Sequence, residues 1–551
     1  MSHIEKAEKT YKPKKFGSIR EMMELARTEA GDKIAYKFGG SDDEIVSVTY
    51  EAFDNRTKQL GAALCELGYG KSHIACIGEN SYNWIVTYLT VLQSAGVYVP
   101  VDKELPTPEM LHVLCDSEAE VIFYDGKREN WLHENREALK NVKLFVGFDR
   151  SEDDEKGEFI SFKKLIEHGK TLDATEFKSL ENDEYGLKML VYTSGTTGVA
   201  KGVMLSEHNL CASVYNGLCI SVPGNVGLSV LPYNHTYEAV CDILVGIHYH
   251  NTLCINDSIK NVRKNLMTFK PDFVYLVPAF VEAFYNSIMK NVKKSGKEKK
   301  IKTGIKLSNA LRKIGIDRRF DLFKDIHEAF GGNLRRIVCG GAPIRAEVAD
   351  FFTDIGIALS NGYGITECSP LVCVNKISKN DSRTVGFRLP CLEWRIDEPN
   401  EEGIGEICIK GDVVMLGYYH NPEKTAEVLK DGWFYTGDYG KITPDDKLMI
   451  TGRKKNIIIL ANGKNIYPEE IEDYIQGIEY VSEVVVRGIK NEHGEEVGLM
   501  AEIYPSEQVD PDNVVADVKE ALKDLPGYKH ISKIVIRSEP FAKTTTNKIK
   551  R

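Results

Sequence analysis

"KMLVYTSGTTGVAKGVMLSEHNLCASVYNGL", Lys188 to Leu218, joins three patterns in one run. The apolar stretch KMLVYT reads as a strand, and EHNLCASVYNGL reads as a helix. Between them Gly195, Gly198 and Gly202 alternate with the hydroxyls of Thr193, Ser194, Thr196 and Thr197. Glycines let the backbone curl until several N–H groups point inward, and the hydroxyls add donors, so such a loop can wrap phosphate oxygens. Lys201 then supplies a mobile point charge to terminal phosphates. A ligand-free turn is the plainer alternative, because glycine-rich loops are common. The P-loop of NTPases is excluded, since that motif ends Gly-Lys-Ser/Thr and Lys201 stands between Ala200 and Gly202.

Outward from this stretch, helical and strand patterns alternate through most of the 551 residues, which predicts an α/β fold with substantial parallel sheet. The length suits two to four domains. A composition 42% hydrophobic and 28% charged is that of a globular chain, and a net charge of -10 argues against a nucleic-acid surface. The 12 cysteines form no CxxC pair, a usage that fits free thiols in a reducing compartment. The opening "MSHIEKAEKTYKPKK" has no apolar run of the signal-peptide kind, so a cytoplasmic location is expected. "WIVTYLTVLQSAGVYVPV", Trp84 to Val101, is interrupted by Gln93, Ser94, Gly96 and Pro100 and reads as a buried helix entering a buried strand rather than a membrane span.

Lys290 to Arg319 is strongly basic within an acidic chain. A solvated helical insertion is the plain reading; a patch for an anionic membrane surface or ligand is the alternative. From Gly386 onward turn signals become dense and the chain turns β-rich. Alternation resumes after "TGRKKN", which places a domain boundary at Arg453 to Asn456.

Three more stretches carry candidate chemistry. "SNGYGITECSP" sets Tyr363 between Gly362 and Gly364, where its ring can face a flat heterocycle, and follows it with Thr366 and Glu367. Glu367 is a candidate ligand for a phosphate-borne Mg²⁺; an ordinary strand and turn is the alternative. In "GWFYTGDYG", Asp438 can accept both hydroxyls of a ribose, although in isolation it reads more simply as a turn residue. Arg453 is a natural partner for phosphate or ribose oxygens, and Lys548 sits in the closing "KTTTNKIKR", a cluster that in isolation reads as a solvated tail.

In this order the stretches "YTSGTTGVAKGV", "NGYGITE", "WFYTGD", "GRKKNIIILANGKNIYPEEIE" and "TTTNKIKR" resemble the adenylate-forming (AMP-binding) superfamily over nearly the whole chain. Within it, "LPYNHTYE" (Leu231 to Glu238), "VPAFVEAFYNSIMKN" and "FGGNLRRIVCGGAPI" look most like long-chain fatty acyl-CoA synthetases. Three departures stand out. Gly452 replaces the aspartate usual in the family's "DRKKN", Ala200 stands where proline is common, and Asn547 where glycine is usual.

The resemblance implies a large N-terminal domain of two α/β sheets plus a distorted β-barrel, spanning 1–452. A small mobile α/β C-terminal domain, 453–551, follows it with a hinge at Lys455. It implies ATP, Mg²⁺ and coenzyme A as co-substrates or cofactors and a fatty acid as substrate. An acid of aromatic or short-chain type, or a separate acyl carrier protein as acceptor, are the alternatives, and weak peripheral contact with the inner membrane face is a further expectation. Carried over residue by residue, ATP falls to Thr193, Ser194, Gly195, Thr196, Thr197, Gly198 and Lys201, to the Gly340 turn through Gly341, Ala342 and Pro343, to Asn361, Gly362, Tyr363 and Gly364, and to Asp438 and Arg453. Catalysis falls to Lys548, Glu367, Thr366 and His235, with Glu367 also on the metal and ordinary packing the rival reading for His235. Coenzyme A falls to Asn462, Gly463 and Lys464.

Overall fold

The computed structural model describes residues 3–40, 44–193, 200–461, 464–492, 494–543 and 549–551. Its contacts divide the chain into two compact units, Met1–Glu393 with Lys410–Gly432, and Trp394–Ile409 with Trp433–Arg551. The division falls inside the β-rich section, so strands Trp433–Ile442 and Leu448–Arg453 pack with the C-terminal segment.

The first unit is built on two sheets, of nine and eight strands among the described residues. The eight-stranded sheet is centred on Val97–Val101, which is buried throughout and runs parallel to His73–Ile77. Leading into it is helix Tyr82–Gln93, started by Ser81, whose hydroxyl accepts the Trp84 N–H at 3.2 Å. From Trp84 to Gln93 every residue of that helix is buried, as expected for a helix apolar on all sides. The helix followed by a strand is the arrangement the sequence predicts for this window. Among the described residues no helix is long and apolar enough to cross a membrane.

The carboxyl end of that helix is held by two cations, Lys188 buried and Arg20 half-buried. Lys188 Nζ donates to the Ser94 carbonyl and, at 3.4 Å, to that of Gly96, and Arg20 donates to the Gln93 carbonyl at 2.5 Å. Cations there satisfy orphan carbonyls and oppose the negative end of the helix dipole. Burial drives the Lys188 amine down to about 8.

In the nine-stranded sheet, strands Val226–Ser229, Phe273–Leu276, Arg336–Cys339 and Ala358–Gly364 are parallel neighbours in that order. Their faces meet the apolar cluster of Leu228, Val274, Ile337, Leu359, Phe352 and Phe330. Parallel strands covered by helices on both faces place their carboxyl ends, and the loops that follow, at one edge, where α/β folds bind ligands.

In the second unit, strand Gly405–Gly411 pairs antiparallel with Trp433–Ile442, which pairs antiparallel with Leu448–Arg453. A further sheet joins Val481–Lys490 to Glu496–Pro505 antiparallel, and Glu496–Pro505 to Lys533–Ile536 in parallel. The parallel pair needs a crossover, which helix Pro511–Ala521 supplies. Ile471, Ile475, Val484, Ala501, Val514 and Val518 fill the space beneath. Beside the second unit's last residues, Lys543 bridges to Ile549, Lys550 N–H donates to the Ala542 carbonyl at 2.8 Å, and Arg551 pairs with Glu472 and, at 3.5 Å, with Glu469.

Candidate active site

The glycine and hydroxyl loop joins two antiparallel strands, Leu187–Thr193 and Lys201–Ser206, with Thr193 opposite Lys201 and Tyr192 opposite Gly202. Ser194, Gly195, Thr196, Thr197 and Gly198 lie outside the described residues. Its exit is firmly built. Ser206 caps helix Glu207–Ile220 reciprocally: its hydroxyl accepts the Asn209 N–H at 3.1 Å and the Asn209 side chain accepts the Ser206 N–H at 2.9 Å. The Asn209 amide also donates to the carbonyls of Asp412 and Val414, at 2.7 and 3.1 Å.

That second attachment leads to strand Gly417–Tyr418, which pairs antiparallel with Lys201–Ser206 through Gly417 opposite Met204 and Tyr418 opposite Val203. Tyr418 thereby stands between two expected site residues. Its hydroxyl donates to Glu367 Oε1 at 2.9 Å, and Lys201 Nζ lies 5.6 Å from the centre of its ring. Burial first, and the Glu367 charge next, push the Tyr418 phenol well above its usual range and keep it a neutral donor. Burial and the nearby Lys424 lower the Lys201 amine, while Glu427 and Glu367 oppose that shift.

Glu367 belongs to a short turn of helix, Thr366–Cys368, just past the carboxyl end of Ala358–Gly364. Its backbone carbonyl accepts the Met415 N–H at 2.9 Å, so it is fixed at both ends, and Thr366 and Glu367 are half-buried. Among the described residues no group of three or more His, Cys, Asp or Glu side chains gathers as a metal cage. One carboxylate with an oxygen spare beyond the Tyr418 bond fits Mg²⁺ carried by phosphates, which takes one or two protein carboxylates and keeps its other sites for phosphate and water.

The neighbouring strand ends bring the other pieces together. Cys339 is opposite Asn361 in parallel register, so the Gly340 turn and the 361–364 stretch are side by side. Gly341 has φ +84 and, with Ala342 and Pro343, is exposed. A Cβ on Gly340 would lie 3.2 Å from the Tyr237 ring, a tight fit, and one on Gly364 would lie 2.3 Å from the Pro370 carbonyl oxygen, so Gly364 has no room for a side chain. Tyr363 is 8% exposed, and the Asn361 amide donates to the Ser382 carbonyl at 3.1 Å. His235 precedes the short helix Thr236–Glu238 and is half-buried. Tyr237 ties that helix to the Gly340 strand, donating to the Val338 carbonyl at 3.1 Å. Behind it Glu238 and Asp242 are wholly buried one turn apart, and burial raises both carboxyls far above their usual range.

In the second unit Asp438 and Arg453 face each other across paired strands, with Arg453 Nε 2.7 Å from Asp438 Oδ1. Asp438 is 5% exposed and Arg453 46%. The two expected ribose and phosphate contacts are thus one ion pair. Beside them Glu406 accepts the Gly437 N–H at 3.1 Å and pairs with Lys454 at 2.6 Å. Lys455 lies in the turn Lys454–Asn456 and is exposed. Lys464 Nζ lies 5.7 Å from the centre of the Tyr528 ring. Asn462, Gly463 and Lys548 lie outside the described residues.

Tyr418 is the site residue that sequence reasoning missed. Its segment, "LGYYHN", has no special composition, and the signal is strand register alone.

A glycine and hydroxyl hairpin, joined through one tyrosine to an acidic turn at the carboxyl edge of a parallel sheet, defines a nucleotide-binding α/β enzyme. The family model for the AMP-binding enzyme matches residues 23–419, and the chain belongs to that family. A long-chain-fatty-acid–CoA ligase of Mycobacterium bovis is 30% identical over 470 residues, covering 80% of this chain and 75% of the relative. A chloroplastic long-chain-fatty-acid–[acyl-carrier-protein] ligase of Arabidopsis thaliana is 26% identical over 633 aligned positions, covering 97% of this chain and 84% of the relative. Among solved structures, an anthranilate CoA ligase in complex with anthranoyl-AMP superposes with a TM-score of 0.78 at 19% identity, covering 97% of this chain and 95% of that one. That likeness bears out the expected fold of a large domain of α/β sheets with a smaller α/β domain.

Proposed function

We propose that this chain is an ATP-dependent, AMP-forming acyl-CoA synthetase that activates a medium- to long-chain fatty acid and transfers it to coenzyme A. The observation that carries this reading is the line Lys201, Tyr418, Glu367. It sets a cation for a departing pyrophosphate and a carboxylate for its metal on one fixed scaffold. The kinship to long-chain-fatty-acid–CoA ligases supplies the substrate class.

In the first half-reaction a carboxylate oxygen attacks the α-phosphorus of ATP and the bond to the bridging oxygen of pyrophosphate breaks. Two anions must approach, so their repulsion has to be cancelled by fixed charge in a water-poor site. Lys548 bridges the carboxylate and the α-phosphate, and the hairpin from Thr193 to Lys201 steadies the pyrophosphate. Mg²⁺, when bound at Glu367 with Thr366 beside it, polarises the phosphates. Tyr363, Asn361 and the Gly340–Pro343 turn hold adenine, and the Asp438–Arg453 pair holds ribose.

In the second half-reaction the coenzyme A thiol attacks the acyl carbon, AMP leaves with the electrons of the broken bond, and the thiol proton passes to solvent. Lys548 obstructs that approach, so the segment from 453 onward rotates about Lys455 and brings Asn462, Gly463 and Lys464 to the pantetheine arm. His235 stands at the meeting point of acyl group and thiol as a gate.

A carrier protein as acceptor is the second reading, favoured by the kinship to the Arabidopsis carrier-protein ligase over nearly the whole chain. A cytoplasmic location with peripheral contact at an anionic membrane belongs to the main reading. The test is carboxylate-dependent exchange of pyrophosphate into ATP over acids of increasing length, followed by AMP release with coenzyme A or carrier protein. Exchange with fatty acids and release with coenzyme A are expected; no exchange with any acid overturns the proposal.

A further inference from the structure

The segment Lys290 to Arg319 carries twelve Lys and Arg side chains against Glu298 and Asp317 alone, in a chain of net charge -10. The helix Glu298–Lys313 occupies its centre. One side of that helix is committed to the fold: Ile301 and Ile305 pack on the sheet's apolar cluster, Gly304 lies against the Phe323 ring, and Ser308 is wholly buried.

Positions seven apart fall on one stripe of a helix. On the side opposite Ile301 and Ser308, Lys299, Lys306 and Lys313 therefore form one line, and Leu307 and Ile314 form the line next to it. Leu307 is 50% exposed, Ile314 70%, and Ile316, just beyond the helix, 45%. Three of the acids close by are already engaged: Asp317 with Arg319 at 2.7 Å, Asp321 with Arg318 at 2.9 Å, and Asp325 with Lys297 at 3.5 Å. None of Lys299, Lys306 and Lys313 has a carboxylate partner among the described residues.

We propose that this outward face is the surface by which the protein docks on an anionic phospholipid bilayer. Leu307, Ile314 and Ile316 enter the boundary between headgroups and acyl chains, and the lysine line lies among the phosphates. Single aliphatic side chains standing out of a convex helix between lysines have no groove to share with a folded partner. A bilayer offers them a continuous apolar layer at one depth with negative charge directly above it. The charge of the segment also orients a net-acidic protein, turning this strongly basic face to the membrane. The membrane contact named in the proposed function thereby acquires its surface, and its purpose, taking up a fatty acid from the layer that dissolves it, rests on that reading.

The experiment is flotation of the full-length protein with vesicles of phosphatidylcholine alone or mixed with phosphatidylglycerol, at low and high salt. Binding to the anionic vesicles is expected, weakened by salt and absent on neutral ones. At about 1 kcal/mol for each lysine near the surface, K299Q/K306Q/K313Q should lower the partition coefficient roughly a hundredfold. L307N/I314N should lower it as well while leaving the lysines in place. Both variants should keep wild-type AMP release from a water-soluble short fatty acid without vesicles, which also certifies their folding. Equal binding by wild type and variants, binding indifferent to lipid charge, or no vesicle binding would overturn the proposal. So would loss, in the variants, of binding to a purified acyl carrier protein with vesicle binding unchanged. Vesicle binding by a protein that shows no exchange with any acid would leave the surface standing and remove the ligase reading.

Discussion

Tyr418→Phe isolates one hydrogen bond at the centre of the site. The substitution removes the hydroxyl that donates to Glu367 Oε1 at 2.9 Å and keeps the ring over which Lys201 lies at 5.6 Å. Strand pairing of Gly417 and Tyr418 with Met204 and Val203 is a backbone matter and survives. A neutral donor to a carboxylate contributes about 1.5–3 kcal/mol, and the site's partial burial puts this bond within that range rather than below it. If Glu367 loses its fixed orientation, the metal-assisted step weakens by about 2 kcal/mol, or roughly thirtyfold in kcat/KM. The loss should appear as a higher Mg²⁺ requirement in carboxylate-dependent pyrophosphate exchange, partly restored at high Mg²⁺, with thioester formation from supplied acyl-adenylate unaffected. A folded Tyr418→Phe enzyme with the wild-type Mg²⁺ dependence refutes the assignment of Glu367 to the metal through this tyrosine.

Asp438→Ala should raise KM for ATP about tenfold or more, and adding Arg453→Ala should cost little further, because the pair acts as one; additive losses in steady-state kinetics would separate their roles. Lys548→Ala should abolish adenylate formation and spare thioester formation from acyl-adenylate; equal loss of both halves removes Lys548 from the first step. Lys188, held down to about 8 by burial, carries the linkage sign of a depressed cation: charging it destabilises the fold at neutral pH, and that cost fades as pH rises from about 8 toward 10.5. Wild type should therefore gain on the order of 3 kcal/mol relative to Lys188→Met between pH 7 and pH 10 in denaturant melts. A difference that does not move with pH would show that Lys188 is as readily charged in the fold as in the unfolded chain.

Local pattern made much of this protein readable. The strand KMLVYT and the helix EHNLCASVYNGL show in their local apolar patterns. The buried helix Tyr82–Gln93 was separable from a membrane span because Gln93, Ser94 and Gly96 break its apolar run. What stayed hidden depends on register between distant segments. Lys201–Ser206 is a strand because Gly417–Tyr418 and Leu187–Thr193 flank it, and no feature of "KGVMLS" alone decides that. For the same reason Asp438 and Arg453 read as two separate contacts in sequence, while the strand pairing makes them one. The residues expected to touch phosphate were legible as types, and the tyrosine that links them was not.

Helix Pro468–Gln476 has a mechanical consequence. Its Glu469 accepts from the Asn456 amide at 2.6 Å, next to Lys455, and also pairs with Arg551 at 3.5 Å, while Glu472 one turn on takes the Val486 N–H at 2.6 Å and Arg551 as well. A single short helix thus grips both the neighbour of Lys455 and Arg551. Were Lys455 the pivot proposed above, torque applied there would reach Arg551 through two carboxylates, without having to pass along the intervening backbone.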